Sequence, residues 1–334
     1  MSSFEALQKV ISNMNFTGAA LVQQGHEVII KNGYGKANRS DRIPNSADTR
    51  FGIASGCKIF TSVAICQLAE EGRLTFDTRL KDLLTIPFPH FSDDITVHHL
   101  LTHTSGIPDY FDESETDDFE DIWKDRPMYR MQSASDFLPL FQHEKMKFEP
   151  GAEFSYNNSG FILLGLIVEE LTGMSFTDYV EDHIFKPAGM TDSGYFRMDQ
   201  LPERTALGYI DDEDHWKTNI YSLPIKGGPD GGAFTTVNDL KKFWDSLFND
   251  EILREDFRKI LLTPHVLNQN NIYYGYGVWI SMKEEEILKY FVMGFDPGVR
   301  MHSSVNMVTK VQTHVLSNTE ESIYPFVKML DESF

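Results

Sequence analysis

Segments that read as β-strands lie at the two ends of this chain, and helices fill its middle. Near the N-terminus, residues 17–23 and 27–31 run apolar or alternate around a Gln24-Gly25-His26 turn, and 49–53 forms a further short strand. Near the C-terminus, 274–280, 287–293, 299–305 and 309–316 behave in the same way. Between them, apolar residues recur at helical spacing over 59–72 and over an apolar stretch beginning at Phe161 and ending at Gly173, capped by Asn158 or Ser159. Residues 4–13 (Phe4, Leu7, Val10, Ile11), 133–143 (capped by Ser133 or Ser135), 175–184, 238–248 and 320–330 also read as helices, and 80–84 and 97–102 as short helical pieces. Residues 190–230 read as loop-rich, with an acidic cluster at 211–214. Strands so far apart join most simply as one antiparallel sheet covered by helices from both ends, with an all-helical region inserted. The expectation is an α+β fold, with 1–72 and 231–334 forming the sheet domain and 73–230 the insertion.

At 334 residues the chain is long enough for one large domain or two closely packed ones. Its net charge of −20 repels phosphate backbones and anionic membranes, which argues against nucleic-acid binding. No apolar run approaches the roughly 20 residues of a membrane helix. The opening Met1-Ser2-Ser3-Phe4-Glu5 lacks the basic and apolar regions of a signal peptide, which favours the cytoplasm. The two cysteines, Cys57 and Cys66, are nine apart on one expected helix, hence on opposite faces, and cannot bridge each other. Residues 109–125 hold nine acidic side chains and read as a solvated loop, since the spacing lacks the central Gly and closing Glu of an EF-hand.

The chemistry concentrates in Phe51-Gly52-Ile53-Ala54-Ser55-Gly56-Cys57-Lys58, which leads into the helix over 59–72. Ser55 stands at a helix start and Lys58 three residues on, so both side chains share one face. A hydroxyl beside a partly dehydrated amine can be activated as a nucleophile, and free N–H groups at a helix start can hold an oxyanion. Ser55 as a simple N-cap with Lys58 in solvent would also account for the pair. Cys57 is a rival nucleophile, although a packed thiol is the plainer reading. Tyr156-Asn157-Asn158, in the turn before the apolar helix, offers a phenol able to pass protons and an amide that both donates and accepts.

Ser55-x-x-Lys58 followed by Tyr156-x-Asn158 resembles the serine β-lactamase and penicillin-binding-protein superfamily, specifically the class C β-lactamase, D,D-peptidase and esterase branch. Further stretches agree with it: Leu100 to Pro108 with its His-Thr-Ser-Gly core, Pro150-Gly151, Gly231-Gly232 leading to Leu240, Tyr274 to Gly277, Pro297-Gly298 and Leu316-Ser317-Asn318. The resemblance implies a β-lactamase/transpeptidase-like fold and a hydrolase that works through an acyl-enzyme, with neither metal nor cofactor. It makes Ser55 the nucleophile, lets Lys58 and Tyr156 share the proton transfers, and sets Asn158 against the substrate amide. His103 is read as structural.

The family's third motif, a Lys or His followed by any residue and Gly, falls on Val292-Met293-Gly294 when counted back from Pro297-Gly298. The glycine is present and the cation is not. Gly294 would allow close approach of substrate, and the N–H of Phe295 would complete an oxyanion hole with that of Ser55. Arg300 is a candidate to replace the lost charge. Lys226-Gly227-Gly228 also reads Lys-x-Gly but lies well before the expected strand. The implied substrate is a small molecule or short peptide bearing an amide, ester or lactam, β-lactams among them. The missing cation and the acidic chain favour neutral or cationic substrates. A catalytically weak binding or regulatory homologue is the alternative. The sequence sets neither the oligomeric state nor which of Lys58 and Tyr156 is the general base.

Overall fold

The computed structural model describes residues 16–112, 120–213 and 215–333. The helix expected over 4–13, the acidic residues Glu113, Glu115, Asp117 and Asp118, and Asp214 lie outside the described residues.

Two strands, β1 (Gly18–Gln24) and β2 (Glu27–Tyr34), open the structure, followed by the short β3 (Lys36–Asn38), β4 (Ile43–Pro44) and β5 (Phe51–Gly52). Helix α1 (Lys58–Glu70) comes next, then α2 (Leu80–Leu83), α3 (Val97–Leu101), α4 (Asn158–Thr172) and α5 (Phe176–Val180). A hairpin of β6 (Tyr209–Asp212) and β7 (His215–Thr218), then β8 (Phe234–Thr235), lead to α6 (Val237–Phe248) and α7 (Glu255–Leu261). The C-terminal part supplies β9 (Val266–Gln269), β10 (Ile272–Tyr274), β11 (Trp279–Lys283), β12 (Glu286–Asp296), β13 (Val299–Asn306) and β14 (Val311–Ser317), and α8 (Tyr324–Ser333) follows.

The two ends of the chain do form one antiparallel sheet. Its eight strands run in the order β2-β1-β14-β13-β12-β11-β10-β9, and the N-terminal pair joins the rest where β1 lies beside β14 from Gly18↔Ser317 to Gln24↔Val311. Strand β1 is apolar along most of its length because both its faces are covered. Ala19 and Leu21 enter the main core, whereas Ala20 and Val22 pack in a second cluster with Phe326, Val327 and Leu330 of α8. The main core runs without a break from this sheet face through α1 and α4, so the helical region and the sheet share one apolar interior.

Several boundaries differ from the expectation. The strand expected over 274–280 is interrupted at Gly275–Val278, where Gly277 turns the chain with φ +70°; a Cβ there would lie 2.4 Å from Ser62 Oγ and 2.8 Å from the Lys58 carbonyl oxygen. The segment over 133–143 is a 3₁₀ stretch (Ala134–Leu140) behind a Ser133–Asp136 capping box, because Pro139 removes a backbone donor inside it. Asn157 caps α4, not Asn158 or Ser159: its side chain accepts from the Gly160 N–H at 2.7 Å.

Candidate active site

The chain reaches the nucleophile position through a short ladder. β5 pairs with β8, and the Ile53 N–H donates to the Ala233 carbonyl at 2.9 Å. Residues Ala54–Cys57 then form one 3₁₀ turn ahead of α1, with Ala54 held at φ +46°, a backbone setting that is costly for any residue but glycine. This turn presents Ser55 at the surface of a cleft while Lys58, the first residue of α1, is 1% exposed. Lys58 Nζ lies 2.9 Å from Ser55 Oγ, 2.8 Å from Asn158 Oδ1 and 2.6 Å from the Asp230 carbonyl oxygen. The last two atoms can only accept, whereas the serine hydroxyl can also donate. The set therefore suits an ammonium that donates three bonds, and equally an amine that donates two and accepts the Ser55 proton.

Tyr156 and Asn158 arrive from the start of α4. The Tyr156 ring stacks near-parallel on Trp279 at 6.3 Å, and Lys58 Nζ stands 5.0 Å from its centre. His103 fixes the turn that carries it: its carbonyl accepts from the Ser155 N–H at 2.9 Å, and its Nδ1 accepts from the Asn157 N–H at 3.0 Å. Burial, helped by the Lys58 charge, holds the His103 imidazole well below its ordinary pKa, so it stays neutral and can accept that bond. The structural reading of His103 fits this geometry.

Asp109 is half-buried with its carboxyl enclosed, and is not part of a solvated loop. Its Oδ2 accepts from the Asn158 N–H (2.9 Å) and Nδ2 (3.2 Å), and its Oδ1 accepts from the Ser159 N–H (3.0 Å) and hydroxyl (3.2 Å). Burial raises this carboxyl to about 6, against the pull of those donors and of Lys58. By accepting from Asn158 Nδ2, Asp109 leaves Asn158 Oδ1 aimed at Lys58. Asp230 is a second buried carboxyl that the sequence reading passed over. Tyr110 donates its hydroxyl proton to Asp230 Oδ2 at 2.5 Å, and burial pushes the Asp230 carboxyl above its ordinary range. Both missed residues adjoin motifs, since Asp109 follows Pro108 and Asp230 precedes Gly231-Gly232.

The sheet side of the site offers backbone. A Cβ on Gly294 would fall 2.2 Å from the Ile53 carbonyl oxygen and 2.8 Å from the Gly56 nitrogen, so only glycine lets β12 press against the Ser55 turn. Val292, two residues earlier on the same strand face, is buried in the main core. Val299 and Met301 of β13 face the same turn, against Gly52 and Gly56. Arg300 lies between them and so points to the opposite face of the sheet. It donates Nη1 to the Asp296 and Val299 carbonyls at 2.7 and 2.8 Å and sits 5.5 Å from the Phe295 ring centre. Arg300 therefore braces the β12–β13 turn and does not face the cleft as expected. The Phe295 side chain also points away from Ser55, which leaves its backbone N–H as the part able to serve the site. Lys226 lines the cleft, but its Nζ donates to Thr177 Oγ1 at 3.0 Å. The Cys57 thiol is fully buried, lies 3.7 Å from the Gly228 carbonyl oxygen and is pushed up to about 12 by burial, a poor setting for a nucleophile.

Among the described residues no group of acidic, His or Cys side chains is placed to hold a metal ion, and no single helix is long and apolar enough to cross a membrane. The sequence pattern of the Beta-lactamase family matches residues 7–322. The chain belongs to that family. Among solved structures, the penicillin-binding protein from Bacillus halodurans superposes with a TM-score of 0.95 at 52% identity, covering 98% of this chain and all of that one. The octameric penicillin-binding protein homologue from Pyrococcus abyssi has a TM-score of 0.84 at 25% identity, over 99% of this chain and 78% of that one. Penicillin-binding protein 4* of Bacillus subtilis (strain 168) is 29% identical over 288 residues, which is 81% of this chain. This Beta-lactamase family chain spans 61% of the length of that relative.

Proposed function

We propose that the protein is a serine hydrolase that transfers an acyl group to water through an ester on Ser55. The contact that carries this reading is Lys58 Nζ at 2.9 Å from Ser55 Oγ, with the amine's other two partners being pure acceptors. Ser55 Oγ attacks the carbonyl carbon of an ester, amide or lactam, and its proton passes to the Lys58–Tyr156 pair. The carbon–heteroatom bond then breaks, and the departing atom takes the proton back. Water hydrolyses the ester by the same transfers in reverse. The N–H groups of Ser55 and Phe295 hold the oxyanion, and Asn158 both orients Lys58 and faces the substrate amide. The substrate is a small molecule or short peptide. With no cation on β12 at 292 and Arg300 turned away, carboxylate-bearing substrates are disfavoured.

A non-catalytic homologue is less well supported, because every partner of Lys58 is in place. The test is intact-protein mass after incubation with p-nitrophenyl acetate and, separately, benzylpenicillin, on the wild type and on Ser55→Ala. An acetyl adduct on the wild type alone supports the reading. No adduct from either reagent, with no ester turnover, would overturn it.

A further inference from the structure

The cleft that exposes Ser55 has a volume of about 1050 Å³ including its open mouth. One end holds Ser55, Asn158 and Asp230, and the rest is walled largely by apolar side chains: Ile122, Trp123, Phe137, Phe196, Leu223 and Phe234. These rings are held firmly. Trp123 Nε1 donates to the Ser222 carbonyl at 2.9 Å, Phe137 packs on Tyr110 at 4.9 Å, and Phe196 lies 6.0 Å from Phe234. The charged side chains on the lining are Asp230, which receives Tyr110, Asp296, and Lys226, which is bonded to Thr177. Tyr156, Trp279 and Val292 are not on this lining.

That division assigns the two halves of a substrate. The leaving group must reach the proton held by Lys58 and Tyr156, so it departs on the Tyr156–Trp279 side. The half that stays bonded to Ser55 extends the other way, into the apolar arm. Resting on the serine-hydrolase reading above, we infer that the enzyme selects substrates with a large, uncharged, aromatic-sized acyl group, with Trp123, Phe137 and Phe234 forming its acyl pocket. A carboxylate on the acyl group would enter an apolar arm of a cleft whose charged lining is two acids and one lysine already bonded to a hydroxyl, so acidic acyl groups are excluded. Gly228 lines the same arm. A Cβ built on it meets nothing within 4 Å, and its φ lies outside the left-handed region, so a larger side chain there enters the cleft without straining the backbone.

The experiment compares kcat/KM for the p-nitrophenyl esters of acetate, butyrate, phenylacetate and hemisuccinate, each divided by its rate with hydroxide. One leaving group throughout isolates the acyl half. The wild type is expected to favour phenylacetate over acetate by roughly ten- to a hundredfold, with hemisuccinate lowest, as burial of an aromatic group in a fitted pocket gives. Gly228→Leu is expected to cut the phenylacetate-to-acetate ratio by about tenfold or more. Wild-type acetate turnover equal to or above that of phenylacetate would overturn the acyl pocket while leaving the hydrolase standing. So would an unchanged ratio in a folded Gly228→Leu. No acylation of Ser55 by any ester would remove both readings together.

Discussion

Ser55 stands between two walls of different character. On the helical side, Lys58, Asn158, Asp109 and the Asp230 carbonyl are joined by hydrogen bonds, and His103 holds the turn beside them through Nδ1. On the sheet side, the strand presents Gly294 and Val292, and the nearby cation, Arg300, is spent on two carbonyls of a turn. On the proposed reading the first wall moves protons, which needs several side chains held in register. On the same reading the second receives the substrate, and it offers backbone and apolar surface. The residues assigned on that reading to proton transfer are together while, among the described residues of the sheet wall, no cation faces the cleft, and the two can diverge because they are carried by different elements.

Removing the nucleophile is the sharpest break. Ser55→Ala is expected to lower kcat by about 10⁴-fold or more in ester hydrolysis. Gly294→Ala attacks the seam between the walls. With its Cβ driven against the Ile53 carbonyl, it is expected to lose about 2–4 kcal/mol in chemical unfolding, and most activity with it.

Asp109→Asn tests whether the helical wall needs an ionised acceptor. A carboxamide would turn an NH₂ toward the Asn158 or Ser159 N–H, and kcat/KM is expected to fall about ten- to a hundredfold. The pH profile gives a second readout. Wild-type activity should rise through about pH 6, as Asp109 ionises and accepts all four bonds, and this limb should vanish in Asp109→Asn. Stability runs the other way. The folded carboxyl titrates near 6 and the free one near 3.8, so the native state holds a proton that the unfolded chain has lost. Asp109's contribution is therefore present below the lower value and is lost as pH rises through 6, which urea unfolding at pH 4 and 7 would separate.

Smaller effects probe the sheet wall. Val292→Lys should supply a cation beside the oxyanion strand, because its long stem can carry the ammonium out of the buried position toward the cleft, and lower KM for a carboxylate-bearing ester about tenfold, at some cost in stability. Arg300→Ala should leave that KM within about twofold, since its guanidinium faces the other way.

The sheet was readable because β1, β12, β13 and β14 keep strand periodicity over seven or more residues. The Gly275–Val278 break was not, because Tyr274, Tyr276 and Val278 continue the apolar alternation while the turn itself is demanded by contact with α1. Ser55, Lys58, Tyr156 and Asn158 could be picked out as paired motifs with local spacing. Asp109 could not, since a carboxylate in an acidic stretch looks solvated until packing shows what covers it, and Asp230 could not, since a lone Asp in a glycine-rich run reads as a turn residue. Arg300 was misplaced by a single position in strand parity, which sends a side chain to one face or the other.

The seam at Gly294 also sets a clock. Ile53 and Gly56 are completed by Gly294 and Met301, some 240 residues later in the chain. At a synthesis rate of roughly 5–20 residues per second, the nucleophile turn waits on the order of ten seconds or more for the strand that buries its backbone. A ribosome-bound chain stopped before β12 thus carries Ser55 and Lys58 but no finished site, and hydrolysis begins only when the last strands close the sheet.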